Sequence, residues 1–139
     1  MFEEDIDNKI YNLLISNGID ENQEYPKFVE KLYSKVDFLW KESVPGSYSH
    51  LTERFFSKID VIIILSGLYE NNSEKFDALI KASQKFEKPI VLVRPYGVEE
   101  VPEELESIAT TLVGWNANCI VDNIKGAMNL NLDEDLDLD

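Results

Sequence analysis

Mostly apolar runs of five to eight residues alternate along the chain with stretches whose apolar positions recur every third or fourth residue, a pattern of strands and amphipathic helices. Lys9 to Ser16 (KIYNLLIS) carries Ile10, Tyr11, Leu13, Leu14 and Ile15 and stops at the turn-forming Asn17-Gly18 pair, which predicts a buried first strand. A helical stripe of Tyr25, Phe28, Val29, Leu32 and Val36 follows, with Pro26 tolerable in the first turn and Glu24 near the positive end of the helix dipole. Val36 to Trp40 (VDFLW) reads as a short edge strand, because Lys41, Glu42 and then Pro45-Gly46 come at once. After the turn-rich Pro45 to His50, Leu51 to Lys58 reads as two helical turns that bury Leu51, Phe55 and Phe56.

The strongest strand signal is Asp60 to Ser66 (DVIIILS), β-branched from Val61 to Ile64 and apolar without a break, which demands cover on both faces. A loop over residues 67–73 ends at Ser73, read as an N-cap, and the helix beyond it lines up Phe76, Leu79, Ile80, Ser83 and Phe86. Pro89 to Val93 is another buried strand, closed by Arg94-Pro95-Tyr96-Gly97. Pro102 opens a short acidic helix, PEELESIA. A last strand over Thr110 to Val113 leads through Gly114-Trp115 to Asn116, the N-cap of a helix burying Ile120, Val121, Ile124 and Met128. Five βα units with full apolar strands imply an α/β fold: one five-stranded parallel sheet, flavodoxin-like in its order 2-1-3-4-5, between two helical layers.

Composition narrows what such a domain does. The 139 residues hold 27 Asp and Glu against 13 Lys and Arg, a net charge of −14, which repels phosphate backbones and makes nucleic acid a poor partner. Five of the acids (Asp133, Glu134, Asp135, Asp137 and Asp139) fall in the last nine residues, so a single domain over 1–130 is expected to carry a solvated, disordered acidic tail over 131–139. The longest unbroken apolar run, Val61 to Leu65, is far below the roughly 20 residues of a spanning helix, and four acids in the first seven residues are unlike a signal peptide. The expectation is a cytoplasmic protein without membrane contact. One cysteine, Cys119, excludes an intramolecular disulfide, and one histidine, His50, excludes His-rich metal sites. Cys119 reads as a small core residue and His50 as solvated.

In a sheet of this order ligands bind beyond the carboxyl ends of the strands, at the switch point between strands 1 and 3. There the chain supplies Ser16, Asn17 and Gly18 after strand 1, Ser66, Gly67 and Tyr69 after strand 3, and Arg94, Tyr96, Trp115 and Asn116 after strands 4 and 5. Ser16-Asn17-Gly18 suits either a phosphate cradle or an ordinary strand-to-helix turn. Arg94 suits either a bidentate clamp on phosphate or carboxylate, or a structural pair with Glu99 or Glu100. Tyr96 and Trp115 suit either ring stacking or closure of the sheet's end. A receiver-type phosphorylation site would need acids where Ser66 and Ser16-Asn17 stand, which disfavours phosphotransfer.

Four segments carry a more specific likeness: Phe38 to Pro45 (FLWKESVP), Asp60 to Tyr69 (DVIIILSGLY), Lys88 to Gly97 (KPIVLVRPYG) and the run GWNANCIVDNI from Gly114. Over residues 9 to 128 the chain resembles the TIR-like domain family of archaea and of the Thoeris antiphage systems of bacteria. The resemblance implies a flavodoxin-like sheet and, in catalytic relatives, cleavage of NAD to a cyclic ADP-ribose-type signal by a glutamate on the helix after strand 3. Matched without gaps from Lys88-Pro89-Ile90, that glutamate's position is Leu79, and Ser16-Asn17-Gly18 stands where Thoeris members tend to have Ser-His. A leucine cannot stabilise developing positive charge. The resemblance therefore implies a non-catalytic module that binds NAD or an NAD-derived nucleotide, or that acts through a protein partner or homo-oligomer. Two alternatives are an NAD-cleaving enzyme using Glu74 or Asp77, and a flavin-binding carrier using Tyr96 and Trp115.

Overall fold

The computed structural model describes residues 9–16, 24–45, 51–66, 73–94, 101 and 103–137, with backbone alone at 24, 73 and 129–137. Its strands are β1 (Ile10–Ile15), β2 (Leu39–Glu42), β3 (Val61–Leu65), β4 (Ile90–Val93) and β5 (Thr111–Val113). Between and after them lie α1 (Glu24–Tyr33), α2 (Glu53–Phe56), α3 (Ser73–Lys85), α4 (Glu103–Ile108) and α5 (Ala117–Asp137). All four strand pairings are parallel and the order is β2-β1-β3-β4-β5, the flavodoxin-like order that the alternation implies. Right-handed crossovers place α1 on one face and α2, α3 and α4 on the other. α5 joins α1, packing on β3, β4 and β5.

The core is the apolar strands clamped between these layers. Every residue of β3 and β4 is buried, and Phe28 and Leu32 of α1, Phe76 and Leu79 of α3, and Ile120 and Ile124 of α5 close over them. The one polar side chain within β1, Asn12, is buried and satisfied: its Nδ2 donates to the Lys58 carbonyl at 2.7 Å and its Oδ1 accepts from the Ser43 hydroxyl at 2.8 Å. Those bonds tie the end of β2 and the approach to β3 to the strand between them. They remove the cost of burying an amide there.

Several boundaries differ from expectation. The second strand is Leu39–Glu42, not Val36 to Trp40. α1 stops at Tyr33, where the Ser34 hydroxyl donates to the Lys31 carbonyl, and Val36 lies exposed in the turns beyond instead of on the helical stripe. Lys41 and Glu42 are tolerated in the ladder because β2 is an edge: Lys41 faces solvent and Glu42 is hydrogen-bonded by Tyr25. α2 is one turn, N-capped by Thr52 and closed by Ser57; it buries Phe56, whereas Leu51 and Phe55 are half-buried. Ser73 is the first helical residue of α3, and Phe86 lies past its end. The helix of α5 runs on to Asp137, through most of the acidic stretch that the sequence set apart as a disordered tail. Leu132 and Leu136 there are spaced i, i+4, a helical interval that composition alone does not weigh. Asn116 caps α5 as expected, its Oδ1 accepting from the Cys119 amide at 3.0 Å.

The end of α3 stores strain. The Lys88 amide donates to the Ser83 carbonyl at 2.9 Å and the Glu87 amide to that of Gln84 at 3.2 Å, a Schellman closure that puts Glu87 at φ 57°. A residue with a Cβ pays about 1 kcal/mol for that left-handed conformation relative to glycine. Glu87→Gly is expected to raise the melting temperature by roughly 4 °C, as read by calorimetry; an unchanged or lower value would show that the strain is relieved elsewhere.

Candidate functional site

The carboxyl edge of the sheet is set by the residues that leave each strand: Ser16 after β1, Ser43 after β2, Ser66 after β3, Arg94 after β4 and Gly114 after β5. Three of these are serines, and their hydroxyls are not used alike: that of Ser43 donates to the Asn12 side chain, whereas that of Ser16 serves the ladder itself. At the β1–β3 switch point the Ser16 amide donates to the Ile63 carbonyl at 2.8 Å, and the Ser16 hydroxyl accepts from the Leu65 amide at 3.0 Å. Ser16 is fully buried, so its oxygen serves the sheet. Ser66 is likewise buried. Asn17, Gly18, Gly67, Tyr69, Tyr96 and His50 lie outside the described residues, as do Glu99 and Glu100.

Arg94 is the only cation among those five exit residues. Its amide donates to the Val113 carbonyl at 2.9 Å, which fixes its backbone between β4 and β5. Its Nε is buried, and a guanidinium nitrogen lies 3.3 Å from where a Cβ on Gly114 would stand. Gly114 thus leaves the guanidinium its place: a side chain there would crowd it. A planar guanidinium so held presents a fork suited to phosphate or carboxylate.

Trp115 and Asn116 are placed by other work. The Trp115 ring lies 6.2 Å from that of Phe28, tilted by 53°, with the Lys31 ammonium 5.6 Å from its centroid, so it joins α1 to the start of α5. Asn116 Oδ1 is occupied as the α5 cap. Cys119 is exposed, a correction to its reading as a core residue: it follows the N-cap on the outer side of α5, while Ile120 and Val121 turn inward. Leu79 is fully buried on α3, whereas Glu74 and Asp77 are exposed on the same helix.

A pair at this edge escaped sequence reasoning. The Tyr25 hydroxyl, in the first turn of α1, donates to Glu42 Oε1 at 2.6 Å across to the end of β2. Burial raises the Glu42 carboxyl above its ordinary 4.5, with the Tyr25 hydrogen bond acting in the opposite direction. The Tyr25 hydroxyl is pushed up from 10.0, by burial first and then by its bond to Glu42 and that residue's charge. The signal lay in strand parity: Glu42 shares the α1-facing side of β2 with Trp40 and is therefore not mere punctuation. Among the described residues no group of three or more His, Cys, Asp or Glu could hold a metal ion, and no helix is long and apolar enough to cross a membrane. Compared with protein-family models and with curated proteins, the chain matches none.

A carboxyl that binds its proton more tightly folded than unfolded contributes full stability below pH 4.5 and loses it as pH rises through the folded value. Glu42→Gln keeps an oxygen for Tyr25 without a charge. Its stability relative to the wild type is expected to climb as the pH rises above 4.5 in urea titrations. A difference that stays flat across that range would contradict the burial of Glu42.

Proposed function

We propose that the chain is a non-catalytic TIR-like module that takes an NAD-derived or similar nucleotide at the carboxyl edge of its sheet, with Arg94 clamping the phosphate. The observation that carries this reading is the seating of Arg94: backbone bound to β5, Nε buried and guanidinium lodged against Gly114 at the end of β4. A cation so placed stands on the carboxyl edge of the sheet, the rim on which such folds hold ligands, one strand away from the β1–β3 switch point. The non-catalytic part rests on Leu79. The position that the resemblance assigns to the catalytic glutamate is a core position here, and Glu74 and Asp77 are exposed on α3. An exposed carboxylate, solvated by water, is poorly placed to stabilise charge at a sugar carbon.

Thermal shift with NAD, ADP-ribose and flavin mononucleotide tests the binding. A ligand at a hundred times its dissociation constant adds about 2.7 kcal/mol, several degrees in melting temperature for a chain of this size. NAD or ADP-ribose is expected to give that shift and Arg94→Gln to abolish it; no shift with either removes the nucleotide reading. Nicotinamide release from NAD is expected to be absent. Turnover lost on Glu74→Gln or Asp77→Asn would instead establish the NAD-cleaving enzyme.

A further inference from the structure

The large apolar side chains exposed among the described residues gather in one place. Tyr33, the last residue of α1, is 70% exposed, Val36 84%, Leu39 44% and Val44 71%, the last three on β2 or its flanks, and Ile10, 56% exposed, is the register partner of Leu39 on β1. The cause is architectural. α2 is a single turn and leaves the β2 end of its sheet face unroofed, so Ile10 and Leu39 stand open on that side. On the opposite side Tyr33 and Trp40 lie together, ring centroids 5.1 Å apart, beside the same edge. Scattered exposed apolar residues need no explanation, but a concentration along one edge strand marks an interaction surface.

Apolar exposure on both faces of an edge strand fits an added strand, whose side chains alternate between the two faces, better than a helix or a flat surface. The sequence around Leu39 supplies the partner's chemistry. Phe38 and Trp40 flank it at one residue, and Asp37 and Lys41, opposite in charge and both exposed, flank it at two. Such a segment is complementary to itself in antiparallel pairing. Centred on Leu39, a two-fold axis sets Leu39 against Leu39 of a second copy and Lys41 against its Asp37 on one face, while Trp40 meets its Phe38 through backbone alone, because the Phe38 side chain is buried and stacked on Tyr11.

We propose that this edge is an isologous dimer interface, two copies joining their β2 strands antiparallel about Leu39 into a continuous ten-stranded sheet. The pairing brings residues 37 and 38 into the ladder ahead of the present strand, and so requires the Phe38 amide to leave the Lys35 carbonyl, to which it donates at 3.0 Å in the single chain. A short edge gives a small interface and each chain carries −14, so the dimer is weak and reversible.

Sedimentation equilibrium of the full chain from micromolar to millimolar concentration reads the association, and hydrogen exchange locates it. A monomer–dimer equilibrium is expected, with amide protection over residues 37–42 rising with concentration. Leu39→Lys and Lys41→Asp each change exposed side chains, and the two-fold axis counts each change twice, so each is expected to weaken association by about tenfold or more. The double variant Asp37→Lys with Lys41→Asp restores the opposed charges and is expected to recover wild-type association. A monomer throughout, a dimer indifferent to Leu39→Lys, or a charge swap that fails to rescue Lys41→Asp while circular dichroism shows it folded, each overturns the proposal.

Discussion

A strand that is apolar at every position cannot leave either face in water, and this constraint on β3 organises the molecule. Val61 to Leu65 lies at the centre of the sheet with β1 and β4 on its flanks. Burying both its faces requires helices above and below, which a parallel sheet with crossover connections supplies. Phe28 and Leu32 from one layer, and Phe76 and Leu79 from the other, are the side chains that provide the cover. The same requirement explains why Leu79 is buried: it belongs to the helix that must roof the central strands.

Polar groups inside this frame are few, and several of them bond the segments where neighbouring strands begin or end. Asn12 holds the approach to β3 and the residue after β2, Ser16 bonds the end of β3, and Thr110 accepts from the Ile90 amide at 3.0 Å where β5 begins. These bonds fix the register of adjacent strands. They also fix the level at which the strands end, and hence where Arg94 and Gly114 meet. The geometry of that edge is in this sense a consequence of register.

The cover is thinnest at the other end of the sheet. β2 has strand β1 on one side and Tyr25 and Tyr33 of α1 on one face, while Leu39 on the other face is exposed, beyond the reach of the single turn of α2. Charge and exposed apolar surface both collect there. In a chain with a large excess of acid, an edge that mixes Lys41 with Asp37 and exposed aliphatic groups is distinct from the rest of the surface, and it lies at the opposite end of the strand order from Arg94.

The class of fold, the strand order and most core residues were legible in the sequence, because burial on two faces writes an unbroken apolar run and burial on one face of a helix writes a stripe. The Asn116 cap was legible for a similar reason: its partner lies three residues away. The extent of β2 was not, since whether Lys41 and Glu42 can sit in a ladder depends on a Tyr25 that is distant in sequence and on an edge that only the sheet defines. Nor could residue type tell that the Ser16 hydroxyl serves Leu65, that Trp115 rests on Phe28, or that Cys119 faces outward. Those outcomes depend on which groups lie within hydrogen-bond and van der Waals reach after folding, and contacts of a few ångströms between residues tens of positions apart exist only once the tertiary structure has formed.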